Sequence, residues 1–194
     1  RTTASDWSTT KLLVHLGGTF FDRGQDDCAL YHLFPEIYSE SSNTIISQIH
    51  DILSGCAGRM RYYFTFDNHS TQKSAYIVAY FEWLALNDFL AEGGSFRLLY
   101  LERGHTHNRL DQINSDVSRI YHQSEINSVR DFCGRINDRK KTWAKVLDPV
   151  WDFKSFFEPC IDPNVRSALQ INKIHQVGHP LPSRVSSHFT EIYI

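Results

Sequence analysis

Asp67 is the first residue whose type and position could do chemistry. It follows the aromatic run RMRYYFTF (59–66), whose composition is typical of a β-strand. A carboxylate at the carboxyl end of a strand lies at the edge of the sheet, where open α/β folds place their ligands. The competing interpretation is an Asx turn, because an Asp-Asn pair at the end of a strand often bonds its own backbone.

A second chemical motif runs from Gly104 to Asp111 (GHTHNRLD), after one predicted strand and at the start of a predicted helix. His107 and Asp111 are four residues apart, so they share one face of that helix near its amino end. An imidazole and a carboxylate at this spacing can bind one cation. Alternatively, His105 and His107 are solvated loop residues and Asp111 is a first-turn acid that the helix dipole favours.

These two motifs predict a shared metal site if the strands before them are neighbours. Asp67 ends one predicted strand and Asp111 begins the helix after the next, so both carboxylates would then meet at one edge of the sheet. Carboxylates gathered in this way repel one another unless a cation neutralises them, and Mg²⁺ or Mn²⁺ suits such oxygen ligands. Two such ions would activate a water or a 3′-hydroxyl for phosphodiester chemistry. A weaker alternative is a hydrolase with one Zn²⁺ on His105, His107 and Asp111.

The elements that must position these motifs alternate between strands and helices. Strands are predicted at residues 11–21, 28–34, 59–66 and 96–101, and helices at residues 42–53, 74–90 and 108–121. The order β-β-α-β-α-β-α over residues 11–122 predicts an α/β domain with a mixed sheet that helices cover. Residues 1–10 are a polar entry segment, and residues 123–194 are interpreted as a basic helical appendage with an irregular tail.

The composition of the chain is that of an ordinary globular protein. Its 194 residues are 41% hydrophobic, 13% aromatic and 22% charged, which excludes a wholly disordered, collagenous or coiled-coil chain. The longest apolar run is far shorter than the ~20 residues of a membrane span, and no signal peptide is visible. We therefore expect a nuclear or other intracellular protein with no membrane partner. The net charge of −2 excludes a uniformly basic coat for nucleic acid but is compatible with a local basic patch.

Taken together, the motifs resemble the integrase-like transposase domain of eukaryotic mobile elements, which has a ribonuclease H-like fold. That family carries an Asp-Asn-Cys-x-Gly-Gln-Asn-Lys-Asn stretch and a Gly-His-Thr-x-x-x-x-Asp stretch. This chain has Asp67 and Asn68 before one helix, and Gly-His-Thr at 104–106 followed by Asp111 at the start of another. The resemblance covers about residues 10–122, and its Gly-His-Thr block is the more specific part.

The resemblance implies DNA strand cleavage and strand transfer at an Asp-Asp-Asp site that holds Mg²⁺ or Mn²⁺. Asp67 and Asp111 would be the second and third acids, both catalytic and metal-binding, with His107 near them as a further ligand. The side chains implied to contact the substrate DNA at this site are His105, Asn68 and Lys73. Transposases of this fold usually act as multimers, so homo-oligomerisation is a further expectation.

The first acid of the family lies on a strand that precedes the one predicted at 11–21. The only acid upstream is Asp6, in a polar stretch that is not typical of a strand, so we expect the first strand of the fold to be missing. Glu36, at the end of the second predicted strand, is the best substitute as a metal ligand. The alternative function is a catalytically inactive module that binds nucleic acid or protein on the same fold.

A basic stretch at residues 130–145 is the remaining candidate for a contact with DNA. It contains Arg135, Arg139, Lys140 and Lys141, and a basic patch of this kind can hold phosphates. The competing interpretation is a solvated helix face.

Overall fold

The computed structural model describes residues 14–22, 27–35, 37–55, 61–67, 72–101, 109–162, 176–178 and 191–193. Within these ranges the chain has a mixed α/β fold with one seven-stranded sheet and five helices. The strands are β1 (Val14–Asp22), β2 (Cys28–Pro35), β3 (Arg61–Phe66), β4 (Ser95–Tyr100), β5 (Thr142–Val146), β6 (Gln176–Gly178) and β7 (Glu191–Tyr193). The helices are α1 (Ser42–Leu53), α2 (Ala75–Leu86), α3 (Arg109–Gln123), α4 (Val129–Asn137) and α5 (Phe153–Phe157).

The strand order across the sheet is β5-β2-β1-β7-β3-β4-β6. β1 and β2 form an antiparallel hairpin, β5 pairs with β2 in parallel, and β3 pairs with β4 in parallel. β7 lies between β1 and β3, antiparallel to the first and parallel to the second. Among the described strands, β7 therefore joins the three strands β5-β2-β1 to the parallel pair β3-β4, which β6 extends as an antiparallel edge strand.

One side of the sheet, covered by α1, α2 and α5, carries the larger core, and we call it the aromatic face. The helices contribute apolar side chains at helical spacing, and β3 and β4 contribute alternate residues, most of them aromatic. Phe64 lies at the centre, with its ring centroid 4.8 Å from that of Phe81 and 6.4 Å from that of Phe96. Such ring pairs stabilise the core beyond the area that they bury.

The other side of the sheet is covered by α3 and α4, and we call it the α3 face. Phe20 of β1 points to this face and Phe21 to the aromatic face, as the period of two in a strand requires. The core of the α3 face is smaller and includes several short side chains, among them Ala29, Cys133 and Ala144.

The predicted α/β class is confirmed, and the strands and helices predicted up to residue 121 are found with small shifts at their ends. The largest shift is in α2, which ends at Leu86 instead of residue 90. Asp88 adopts a left-handed conformation with φ of 56°, and Asn87 Nδ2 donates to the carbonyl oxygen of Trp83 at 2.7 Å, so the helix is closed there.

Three described elements of the predicted appendage contact the rest of the fold. β5 joins the sheet beside β2, α4 packs on the α3 face, and α5 packs against α1 and α2. In the described part of the chain, no helix has the length and apolar character needed to cross a membrane.

Candidate functional site

Asp67 lies at the end of the sheet where β3 and β4 terminate, which we call the carboxyl edge. The two strands are parallel and in register, with Phe66 beside Tyr100. The amide of Leu101 donates to the carbonyl oxygen of Phe66 at 3.0 Å, so the two strands remain together up to their last residues. Asp67 follows directly and is exposed.

The alternation of β3 assigns Asp67 to the α3 face. Tyr62, Phe64 and Phe66 are buried in the core of the aromatic face. The odd-numbered residues of the strand therefore point to the other side, and Asp67 continues that row. By this alternation, Asp67, the residue after β3, belongs to the row on the side of the sheet that carries α3.

The backbone of α3 begins toward the same edge. Asp111 is the third residue of this helix, and its side chain lies outside the described part of the protein. One turn further on, Tyr31 Oη donates to Asn114 Oδ1 at 2.7 Å. Tyr31 pairs with Gly18 of β1. Gly18 lies two residues closer to the carboxyl edge than Phe20, and Phe20 is the residue that pairs with the end of β7.

The order of the strands also gives the distance across the sheet between α3 and Asp67. β7 lies between β1, over which α3 packs, and β3, which ends at Asp67. Two strand spacings amount to about 10 Å. The structure thus brings Asp67 and the first turn of α3 to one end of the sheet, on one of its faces.

The other predicted ligands cannot be compared in this way. His105, His107, Glu36 and Asn68 lie outside the described residues. Among the side chains that the structure does describe, no three His, Cys, Asp or Glu residues are grouped so that they could hold a metal ion.

Buried polar groups lie close to the carboxyl edge. Lys73 is 8% exposed, and its Nζ is 5.3 Å from the centroid of the Tyr100 ring, a cation–π contact. Tyr100 Oη and Gln72 Oε1 are buried and have no hydrogen-bond partner among the described residues. Burial raises the pKa of Tyr100 to about 12, so its hydroxyl remains a donor at neutral pH. A polar group that reached this end of the sheet could bond to them.

Arg135 differs from the other predicted DNA contacts, because its side chain is hydrogen-bonded to neighbouring residues. Its Nε donates to Asp131 Oδ1 at 3.1 Å, and its Nη2 donates to the carbonyl oxygen of Glu125 at 2.8 Å. These bonds fix Arg135 to its own helix and to the loop before it.

Arg139, Lys140 and Lys141 form the turn between α4 and β5, at the mouth of a cavity of about 330 Å³. The turn precedes β5 and lies beside the amino ends of β2 and β5, whereas Asp67 follows the carboxyl end of β3. Four strand spacings, about 19 Å, separate β5 from β3. The structure therefore does not bring these basic residues to the edge that carries Asp67.

Sequence reasoning missed a buried polar cluster on the aromatic face. His32 is fully buried, its Nε2 lies 2.8 Å from Asp51 Oδ2, and Lys145 Nζ pairs with the same oxygen. Burial lowers the pKa of His32 more than Asp51 raises it, so the ring is neutral. Burial alone would raise the pKa of Asp51, but its bonds to Lys145 and His32 outweigh burial and hold that pKa below its usual range. The one signal in the sequence was a histidine within an apolar strand.

The comparison with protein families covers almost all of these elements. A family model described as a domain of unknown function (DUF7869) matches residues 4–178. The chain belongs to the DUF7869 family. The match to DUF7869 spans β1 to β6 and all five described helices. No curated protein and no solved structure matches the chain.

Proposed function

We propose that the carboxyl edge is a divalent-metal site that cleaves or joins DNA strands, with Asp67 and Asp111 as its carboxylate ligands. The observation that carries the proposal is that Asp67 and the first turn of α3 belong to the same end and the same face of the sheet. Carboxylate oxygens suit Mg²⁺ or Mn²⁺. When bound, such ions would activate a water or a 3′-hydroxyl and stabilise the oxygen that leaves the phosphorus.

The ribonuclease H-like fold remains part of this proposal. In support, β7 fills the position between β1 and β3, where a strand bearing a further acid would lie beside Asp67. β7 itself does not supply that acid, because Glu191 pairs with Tyr63, four residues or about 13 Å before Asp67 along β3. The proposed ligand set in this chain is therefore Asp67 and Asp111, with His107 and Glu36 as the further candidates.

A titration of Mn²⁺ against thermal unfolding tests the proposal, because an ion that binds only the folded protein raises the melting temperature. We expect Mn²⁺ at millimolar concentrations to stabilise the wild-type protein and to have no such effect on the Asp67→Asn and Asp111→Asn variants. Asp88→Asn is the matched control, since Asp88 is an exposed acid in the segment between α2 and β4. This control must keep the full response.

Equal stabilisation of the wild type and both edge variants would show that the ion binds elsewhere, and the proposal would be wrong. A nicking assay with plasmid DNA and Mn²⁺ separates the remaining alternatives. Cleavage that is lost in Asp67→Asn supports catalysis at this edge. Metal binding without cleavage would favour the alternative function, a binding module on the same fold.

A further inference from the structure

A second site lies away from the carboxyl edge, in the cavity of about 330 Å³ between α3, the start of β2 and the turn from α4 to β5. This volume is at the lower end of the range of small-molecule sites. Most of the side chains that line the cavity are of three kinds: apolar, carboxylate and cationic. Its lining is Phe20, Asp27, Cys28, Ile113, Asp116, Val117, Ile120, Arg139, Lys140, Lys141 and Thr142.

The floor of the cavity is apolar. Phe20, Val117 and Ile120 are each no more than 5% exposed and belong to the core of the α3 face. A ligand that fills the cavity must therefore present an apolar or aromatic surface to this floor.

Two carboxylates stand in the wall. Asp27 is only 7% exposed, and Asp116 lies on α3 with its side chain in reach of Arg119, 3.1 Å away. Carboxylates accept hydrogen bonds and donate none, so they favour a ligand with hydroxyl or amino groups.

Three cations form the rim, and the backbone holds them in place. Lys141 has a φ of 60°, a left-handed conformation that is strained for a residue with a side chain. Its carbonyl oxygen accepts a bond from the amide of Ala29 at 2.9 Å, which ties the turn to the start of β2. A strained backbone that its surroundings fix is a feature of binding sites. With Arg139 and Lys140 beside it, the rim favours an anion.

We propose that this cavity binds one nucleotide unit, a nucleoside that carries a 5′-phosphate. The phosphate lies at the rim with Arg139, Lys140 and Lys141, the base packs on the floor, and its sugar or amino groups donate to Asp27 or Asp116. A phosphate ion would leave the floor unused, and a fatty acid would place its alkyl chain beside the two carboxylates of the wall. The unit is either a free nucleotide or the 5′-phosphorylated end of a nucleic-acid strand.

The experiment measures dissociation constants by calorimetry in the presence of EDTA, so that the proposed metal site takes no part. The probes are adenosine 5′-monophosphate, adenosine, inorganic phosphate, and a short 5′-phosphorylated oligonucleotide with its unphosphorylated counterpart. We expect the nucleotide to bind at least about tenfold more tightly than adenosine or phosphate alone, because it uses both the rim and the floor. If neither the nucleotide nor the phosphorylated oligonucleotide binds more tightly than phosphate, the proposal is wrong.

The two sources of the nucleotide give different results. If a strand end is the ligand, the phosphorylated oligonucleotide binds more tightly than the free nucleotide and than its unphosphorylated counterpart. If a free nucleotide is the ligand, the oligonucleotide gains nothing. Either result supports the assignment of the cavity, and neither depends on the carboxyl edge.

Two rim variants and one control show where the ligand binds. Arg139→Gln and Lys140→Gln remove exposed charges, and each is expected to weaken nucleotide binding by about tenfold. Arg130→Gln is the matched control, because Arg130 is an exposed cation on α4 that does not line the cavity. The same loss in Arg130→Gln would show attraction by general charge and would overturn the proposal. Unchanged melting temperatures establish that the variants are folded.

Discussion

The two faces of the sheet are packed differently. On the aromatic face, rings from β3, β4 and α2 contact one another, as where Phe81 lies 5.0 Å from Phe96 between centroids. On the α3 face, short side chains such as Ala29 and Ala144 alternate with a few large ones, and the cavity lies beside them. The described cavity therefore lies on the α3 face, whereas rings pack closely against one another on the aromatic face.

This comparison predicts that truncation of a core side chain has its largest effect on the aromatic face. Phe64→Ala should lower the free energy of unfolding by about 4 kcal/mol, because it leaves a large void among rigid rings. Val117→Ala on the α3 face removes less volume beside an existing cavity, and we expect a loss of about 1–2 kcal/mol. Urea denaturation of both variants measures the difference. Equal losses would mean that the α3 face is as tightly packed as the other.

The buried histidine makes the aromatic face sensitive to acid. Burial lowers the pKa of His32 in the folded protein, whereas in the unfolded chain it titrates near 6.5. The unfolded state therefore binds the proton first, and stability is full above about pH 6.5 and falls as the pH drops below it. Melting temperatures between pH 7.5 and pH 5 measure this decline.

Two variants isolate the contribution of this group. His32→Gln is less stable overall but should lose most of the decline, because no imidazole remains to take a proton beside Asp51 and Lys145. His122→Gln removes an exposed histidine of α3 and should keep the decline. If both variants behave alike, His32 does not govern the response to acid.

Substitutions of two glycines, one on each side of the sheet, test the difference in packing with smaller expected effects. A Cβ on Gly17 of β1 would lie 2.5 Å from Gln48 Oε1, and Gln48 Nε2 is already bonded to Thr19 at 2.6 Å. Gly17→Ala should therefore cost about 1–2 kcal/mol, as an overpacked site does. Gly134 of α4 has open space around it, so Gly134→Ala should stabilise the protein by about 0.5–1 kcal/mol through helix propensity. If chemical denaturation shows a lower free energy of unfolding in both variants, the predicted difference between the two sites is wrong.

The smallest effect is expected at Arg135. Its bond to Asp131 is a half-buried pair of the i, i+4 kind within α4. Arg135→Gln should cost about 0.5 kcal/mol or less and should leave nucleotide binding at the rim unchanged. A tenfold loss of nucleotide binding in this variant would show attraction by general charge, as the same loss in Arg130→Gln would, and would count against the proposed site.

Local patterns account for what could be predicted from the sequence. The segments from β1 to α3 each carry their own periodicity or end signal, such as the alternating aromatic residues of β3 and the helical spacing of Ile45, Ile49 and Ile52 in α1. The position of Asp67 after β3 followed from the same pattern. These features need only neighbouring residues, so a single sequence reveals them.

The features that the sequence did not predict depend on contacts between distant segments. Thr142–Val146 alternates buried and exposed residues but carries a lysine and an exposed tryptophan, and it becomes a strand because β2 pairs with it. The basic stretch likewise divides into a helix that uses Arg135 locally and a turn that carries Arg139. The cavity joins residues of β1, β2, α3 and β5, and no local pattern encodes such a meeting.

The short strand β7, which joins the two parts of the sheet, has a mechanical consequence. In the described strands, three residues of β7 pair with β1 and the same three pair with β3, so the two larger parts of the sheet are joined there by only a few backbone pairs. Without that short strand, those amides of Phe20–Asp22 and Tyr63–Thr65 that point toward β7 would face an open cleft, whereas the alternate amides would stay paired with β2 and β4. Hydrogen exchange at the amides that point toward β7 would then speed up together, ahead of the interiors of either part.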